Sequence, residues 1–167
     1  MNIYEYQAKE IFKKYNIPVL IGKIAQNSKE AAEIAKELGK ECVLKAQVYA
    51  GGRAKGCILE TKLKGIEKAD GFENAKKKAE KMFGNHLVTN QTNQNGIKID
   101  KVYIEQSCEI NREIYLSISA DRKTAKIIIL IGILGGIDIE NSSKDKIITN
   151  YIDIIKGLPS NLGQEIA

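Results

Sequence analysis

Apolar side chains recur at helical spacing near the start of the chain. Ala8, Ile11, Phe12 and Tyr15 stand at i, i+3, i+4 and i+7, one stripe of an amphipathic helix. Asn16 and Pro18 end it, because a proline pushes the residue before it out of helical geometry. Gly22–Ala25 predicts a short strand. Asn27 with Glu30 makes a capping-box pattern ahead of a second stripe at Ala31, Ile34, Ala35 and Leu38, and Gly39 supplies a left-handed stop. The apolar run 42–46 predicts a strand that carries Lys45 at its end, and 58–61 predicts another. Phe72, Ala75, Ala79 and Met82 mark a third helix, closed by Gly84. Residues 90–96 (NQTNQNG) are turn chemistry.

Strand patterns dominate from there. Residues 101–106 follow the turn, and in 113–120 Ile114, Leu116, Ile118 and Ala120 alternate with Tyr115, Ser117 and Ser119, the mark of a half-buried strand. Residues 126–131 are more continuously apolar, unbroken from Ile127 to Ile131, which predicts a central strand. Past Asn141 the pattern loses definition, apart from Ser160 as a cap for a final helix beginning near Asn161. Alternation early and clustered strands late make this an α+β (mixed α/β) chain with mixed sheets.

Composition narrows the function classes. With 43% hydrophobic and 28% charged residues among 167, the chain is neither disordered nor membrane-spanning. Its longest apolar stretch, 127–131, falls far short of the roughly 20 residues a membrane helix needs. The opening MNIYEYQAKE has acidic residues and no apolar segment, so it is not a secretory signal, and a reducing cytoplasm is the expected setting. Cys42, Cys57 and Cys108 are odd in number and widely spaced, the pattern of three buried thiols rather than a disulfide framework or zinc site. A net charge of +5 favours anionic partners. The lysine run at 76–78 reads as a solvated helix face, and no strand interleaves aromatics with cations as an RNA-binding sheet would.

One stretch concentrates chemistry. In LKAQVYAGGRAKG, residues 44–56, Gly51, Gly52 and Gly56 surround Arg53 and Lys55, with Lys45 on the preceding strand. Glycines let backbone N–H groups approach an anion closely, and cations strengthen hydrogen bonds to phosphate. The stretch matches neither G-x-x-x-x-G-K-[ST] nor G-x-G-x-x-G, so the common nucleotide fingerprints are absent. By itself such a double-glycine turn with neighbouring cations is more often a hairpin with a wet surface.

Five segments in order resemble one family. NIYEYQAKEIFKKYNIPV is similar to the N-x-x-E-Y-Q-A-K opening of succinyl-CoA synthetase (succinate–CoA ligase) β subunits. LKAQVYAGGRAKG resembles that family's V-K-A-Q-x-x-A-G-G-R-G-K-G. FGNHLVTNQTNQNG resembles its G-x-x-L-V-T-x-Q-T-x-x-x-G, VYIEQSCEINREIYLSISADR its V-x-V-E strand pair, and GGIDIE its G-G-x-x-I-E. The resemblance implies an ATP-grasp fold, two α+β lobes around a nucleotide. The first lobe would span about 21–104, and residues 1–20 and 105–167 would form part of the second. It implies that Lys45 contacts phosphate and that Gly52, Arg53 and Ala54 form the loop over the nucleotide. Glu105 and Cys108 would meet the adenine edge largely through backbone groups, and Glu113 would bind the ribose hydroxyls.

The activity it implies is succinate, CoA and ATP or GTP giving succinyl-CoA, nucleoside diphosphate and phosphate, a tricarboxylic acid cycle step. The reaction would run through a phosphohistidine of an α-subunit partner, with Mg²⁺ in the full-length protein. The family's metal-holding Asn and Asp would lie beyond Ala167, as would a C-terminal CoA-ligase domain. This chain is therefore expected to hold no catalytic residue or metal ligand of its own, to be inactive alone, and to be a truncated form, a partial gene product or a decayed gene. A non-catalytic module binding the α subunit and a related malate–CoA ligase subunit are the alternatives; nucleic acid and membrane are not expected partners. A mitochondrial matrix setting fits if a transit peptide was removed. His86, the one histidine, reads as a structural or solvated side chain at a helix end. The chain departs from the family at Ala54, which would strain the loop if its φ were positive, at Tyr49 for a usual histidine, at Cys57 for glycine, and at Leu134 for glutamate.

Overall fold

The first apolar stripe forms helix α1, Glu5–Lys14, in a computed structural model that describes residues 2–132, 147–159 and 161–166. Tyr15 N–H bonds back to Ile11 and Phe12, and Asn16 turns the chain at φ 57°, a left-handed conformation that asparagine tolerates better than most residues. Glu5 lies in the first turn and Lys13 and Lys14 in the last, matching the helix dipole. Yet α1 buries none of its residues, and Ile11, Phe12 and Tyr15 stay exposed. Its grip on the rest of the chain is polar.

The chain folds as two units, Met1–Cys108 and Glu109–Ala167. Residues 1–20, which the resemblance assigns to the second lobe, group here with the first unit. That unit holds β1 (Gly22–Ala25), α2 (Ser28–Leu38), β2 (Glu41–Ala46), β3 (Cys57–Ile58), β4 (Ile66–Asp70), α3 (Gly71–Met82), β5 (His86–Val88), β6 (Ile97–Lys98) and β7 (Val102–Gln106). Asn27 caps α2, its side chain accepting from Glu30 N–H, while Glu30 returns to the Gln26 N–H. The antiparallel sheet runs β1-β7-β2-β4.

Period-two alternation sorts this sheet into two faces. Cys42, Leu44, Ala46, Val102 and Ile104 point to one side and, with Ala31, Ile34 and Ala35 of α2 and Ala75, Ala79 and Met82 of α3, make the buried core. Alanines at the helix contact let α2 and α3 lie close against each other. Lys45, Tyr103 and Glu105 point to the other side, and side chains of α1 meet them there. The site hangs on that division.

Several short elements differ from the sequence reading. The strand expected over 58–61 is only Cys57–Ile58, because the chain turns at once: Lys62 N–H bonds to Ile58 O with Lys62 at φ 63°. A small sheet, β3-β5-β6, takes in His86, so that residue is on a strand rather than a helix end. Gly39 has φ 104° and ψ −149°, positive but outside the left-handed helical region. Cys42 is buried, whereas Cys57 and Cys108 are exposed free thiols, not the buried pair expected.

The second unit is a three-stranded antiparallel sheet, order β10-β9-β8, of β8 (Tyr115–Asp121), β9 (Lys126–Gly132) and β10 (Ile147–Ile152), followed by α4 (Leu162–Ile166). The continuously apolar β9 is central, as its pattern predicts. Ile129, Ile131, Ile152 and Leu162 form its core. The register pairs Leu116 with Ile131 and Ile118 with Ile129, on the core's face, but β8 is an edge strand and both stay exposed. The expectations for Leu134, the GGIDIE segment and Ser160 fall outside the described residues.

Candidate functional site

The glycine loop is folded on itself by a few bonds that leave a definite gap. Gly51 N–H donates to Gln91 Oε1 at 2.7 Å, Lys55 N–H to Gly52 O at 3.1 Å, and Gly56 N–H to Gly52 O at 2.9 Å. Among the described residues, the N–H groups of Gly52, Arg53 and Ala54 have no acceptor. Three successive unpaired N–H groups in a tight turn are the arrangement from which anion-binding nests are built. Gly52 has φ 70°, and a Cβ there would collide with Asn90 Oδ1 unless that side chain moved, so the turn favours glycine at that position. Ala54 and Cys57 do not have positive φ. Alanine therefore does not strain the loop.

Beside the loop, five charged side chains meet. Lys45 Nζ lies 2.6 Å from Glu105 Oε2 and 3.1 Å from Glu5 Oε1. Arg53 donates one Nη to Glu5 Oε2 at 2.6 Å and the other to Ala46 O at 2.7 Å. Lys9 pairs with Glu105 Oε1 and, one helical turn back, with Glu5 Oε1 at 3.3 Å. Glu105 is 2% exposed, while Glu5, Lys9, Lys45 and Arg53 are all 18–19% exposed at their side chains. A carboxylate as buried as Glu105 is tolerated only when paired and hydrogen-bonded. Both of its oxygens are.

The field of this cluster shows in its titration. Burial would raise the Glu5 carboxyl, but the charges and hydrogen bonds of Lys45 and Arg53 outweigh that and bring it down to about 2. Burial pushes Lys9 below the usual lysine range, and repulsion from Lys45 adds to it, with Glu5 opposing. Lys9 also sits 5.2 Å from the centroid of the Tyr103 ring. That ring passes so close to Gly22 that any side chain there would clash with its phenol.

Further contacts tie α1 to the loop's approach. Tyr49, in place of the family's usual histidine, stacks on Tyr4 at 4.1 Å between centroids. Buried Gln47 accepts from Tyr6 N–H at 3.3 Å and donates to Lys45 O at 3.0 Å. Of the residues expected to act, Lys45, Gly52, Arg53, Ala54 and Glu105 come together in the first unit. Cys108 is exposed at the end of that unit, just past β7, and Glu113 is exposed in the second unit, before β8. Glu105 itself lies on an inner strand between β1 and β2. Its side chain reaches the cations.

Glu5, Lys9 and Gln47 were not singled out from sequence as site residues. Two signals were present: Glu5 and Lys9 are spaced i, i+4, and both belong to the N-x-x-E-Y-Q-A-K motif. His86 is a surface residue whose Nδ1 lies 2.8 Å from Glu60 Oε1. On the helical side of the main sheet, an open groove of about 530 Å³ is lined by residues including Lys29, Lys36, Phe72, Lys76 and Glu80. Its cations alternate with glutamates. No three His, Cys, Asp or Glu side chains converge as a metal site among the described residues, and no helix among them is long and apolar enough to cross a membrane.

The chain is 41% identical over 170 residues to a succinate–CoA ligase [ADP-forming] subunit beta of Geobacter sulfurreducens, covering 100% of this chain and 42% of that protein. It is 38% identical over 173 residues to the protein of the same name from Paramagnetospirillum magneticum, covering 100% and 44%. The chain thus spans less than half the length of these curated relatives. Among solved structures, a dinucleotide-forming acetyl-coenzyme A synthetase 1 of Ca. Korarchaeum cryptofilum, in complex with coenzyme A and Ca-AMPCP, superposes with a TM-score of 0.66 at 16% identity, over 99% of this chain and 65% of that one. A protein of Pyrococcus horikoshii Ot3 gives 0.62 at 24%, over 91% and 59%. At such identities the structures speak for the fold alone. The ATP-grasp domain family matches residues 2–167, and the α+β sheets, the glycine loop and its cations all lie inside that span: the chain belongs to the ATP-grasp family.

Proposed function

We propose that this chain is the nucleotide-gripping part of a succinate–CoA ligase β subunit, ADP-forming. The observation that carries the site is the coincidence of three unpaired N–H groups, at Gly52, Arg53 and Ala54, with Lys45 and Arg53 at hydrogen-bonding distance of one carboxylate. A terminal phosphate would lie under the loop, taking backbone donors from 52–54 and charge from the two cations. Glu105 acts through its carboxylate, fixing Lys45 in place. The exposed chain past β7, at Cys108, offers backbone groups to the base edge, and Glu113 offers its carboxylate to the ribose hydroxyls. The lobe boundaries that the resemblance implies, about 21–104 for the first lobe, go with this reading.

The finer reading is an ATP or ADP ligand, an α-subunit partner carrying the phosphorylated histidine, and a soluble cytoplasmic setting. Likeness at about 40% identity to succinate–CoA ligase [ADP-forming] beta subunits supports the ligand and the partner. A bound Mg²⁺ would supply charge neutralisation at the phosphates. Among the described residues no group of acidic, histidine or cysteine side chains converges to hold it.

A calorimetric titration with ADP tests the site. The chain should bind ADP, and Lys45→Ala should lose most of that affinity while keeping its fold by circular dichroism. Equal binding by both proteins would place the nucleotide elsewhere. Parallel titrations with GDP would read the base preference.

A further inference from the structure

Resting on the reading that Lys45 and Arg53 grip phosphate, we propose that the Glu5 carboxylate is a built-in stand-in for a phosphate group. It holds the two cations in place while no nucleotide is bound, and an arriving polyphosphate takes them from it.

The geometry of the carboxylate is that of an anion bridging two cations. Oε1 faces Lys45, with Lys9 farther off at 3.3 Å, and Oε2 faces Arg53, as two oxygens of one phosphate would. Charge counting points the same way. Lys9, Lys45 and Arg53 face Glu5 and Glu105, so the cluster holds one net positive charge; removing Glu5 from the cations would restore a second for an incoming anion.

Of the two carboxylates, only Glu5 is placed to yield. Glu105 is 2% exposed on an inner strand and anchors both lysines. Glu5 rides on a helix that buries none of its residues, so withdrawing it uncovers no core. Other contacts would keep α1 docked: Lys9 on Glu105, Tyr4 against Tyr49, and Tyr6 N–H on Gln47. Glu5 stays ionised throughout the neutral range, so the exchange is one anion for another, with no proton taken up.

The test uses inorganic triphosphate, ADP and adenosine on the wild-type chain and on Glu5→Gln. The variant should bind triphosphate and ADP about ten-fold more tightly, the worth of one charge pair, and adenosine no differently. Weaker or unchanged triphosphate binding would overturn the proposal and make Glu5 a residue that merely orients its neighbours. Binding of triphosphate by neither protein overturns it as well. If Glu5→Gln gains affinity for triphosphate while neither protein binds ADP, the carboxylate competes as stated and the nucleotide reading is what fails. A second measurement needs no variant. By carbon-detected NMR, the Glu5 carboxyl titration in the wild-type chain should move up by about one unit or more when triphosphate saturates the cluster; an unmoved midpoint refutes the exchange.

Discussion

Glu5 and Arg53 stand 48 positions apart in the chain and meet at 2.6 Å between Oε2 and Nη2. Through that contact the first helix is fastened to the glycine loop. Lys45 shares the same carboxylate, so helix, strand and loop converge on one anion. The first expectation concerns those cations.

Replacing Lys45 by alanine removes a charge-assisted bond to any phosphate under the loop. Affinity for ADP should fall by about 10- to 100-fold, as loss of a hydrogen bond to a charged group predicts. Arg53→Ala should behave alike. Isothermal titration reads both, with circular dichroism confirming that each variant is folded.

The pairing of Glu5 also predicts an acid-sensitive stability. Its carboxyl titrates near 2 in the folded chain, against about 4.3 when unfolded, so below that value the unfolded chain binds more protons. The stabilisation is fully present above about pH 4.3 and is lost as the pH falls through the folded value. Its size is on the order of 3 kcal/mol. Urea unfolding at pH 5 and pH 2.5 should show a smaller drop in Glu5→Gln than in the wild type, and equal drops would contradict the pairing.

Loop conformation separates two neighbouring small residues. Gly52→Ala forces a Cβ onto Asn90 and a side chain into positive φ, so it should cost about 1–3 kcal/mol and weaken ADP binding. Ala54→Gly relieves no strain, because Ala54 lacks positive φ. It should cost about 0.4–1 kcal/mol through the unfolded chain alone. Thermal melts of the two variants decide the comparison.

The thiols give a check that does not depend on the nucleotide. Cys57 and Cys108 are exposed, while Cys42 is buried and burial raises its thiol above the usual range. A thiol-disulfide reagent should label two cysteines quickly in the folded chain and the third only on unfolding. Three fast reactions would mean that β2 is not in the core.

Long periodic elements were readable from the residues: the stripe of α1, the capped α2, the alanine face of α3 and the apolar run of β9 all stand where the pattern puts them. The short strands β3, β5 and β6 were not, since two or three residues carry no period. β4, IEKAD, hides because its polar side chains resemble a loop. Part of the cation set was legible at Lys45 and Arg53. Glu5 and Lys9 were missed for a physical reason. On a surface helix, charged residues opposite the apolar stripe are expected in water, yet α1 leaves its stripe exposed and turns its charges inward. Periodicity measures where apolar side chains fall and is silent on a helix held by ion pairs.

The most direct test of the site is an amide chemical-shift map of the isotope-labelled chain titrated with ADP. The largest changes should fall on Lys45, on 51–55 and on the chain around Cys108, with the groove between α2 and α3 unaffected. Changes centred on Lys29, Lys36 and Lys76, or none at all along the glycine loop, would contradict it.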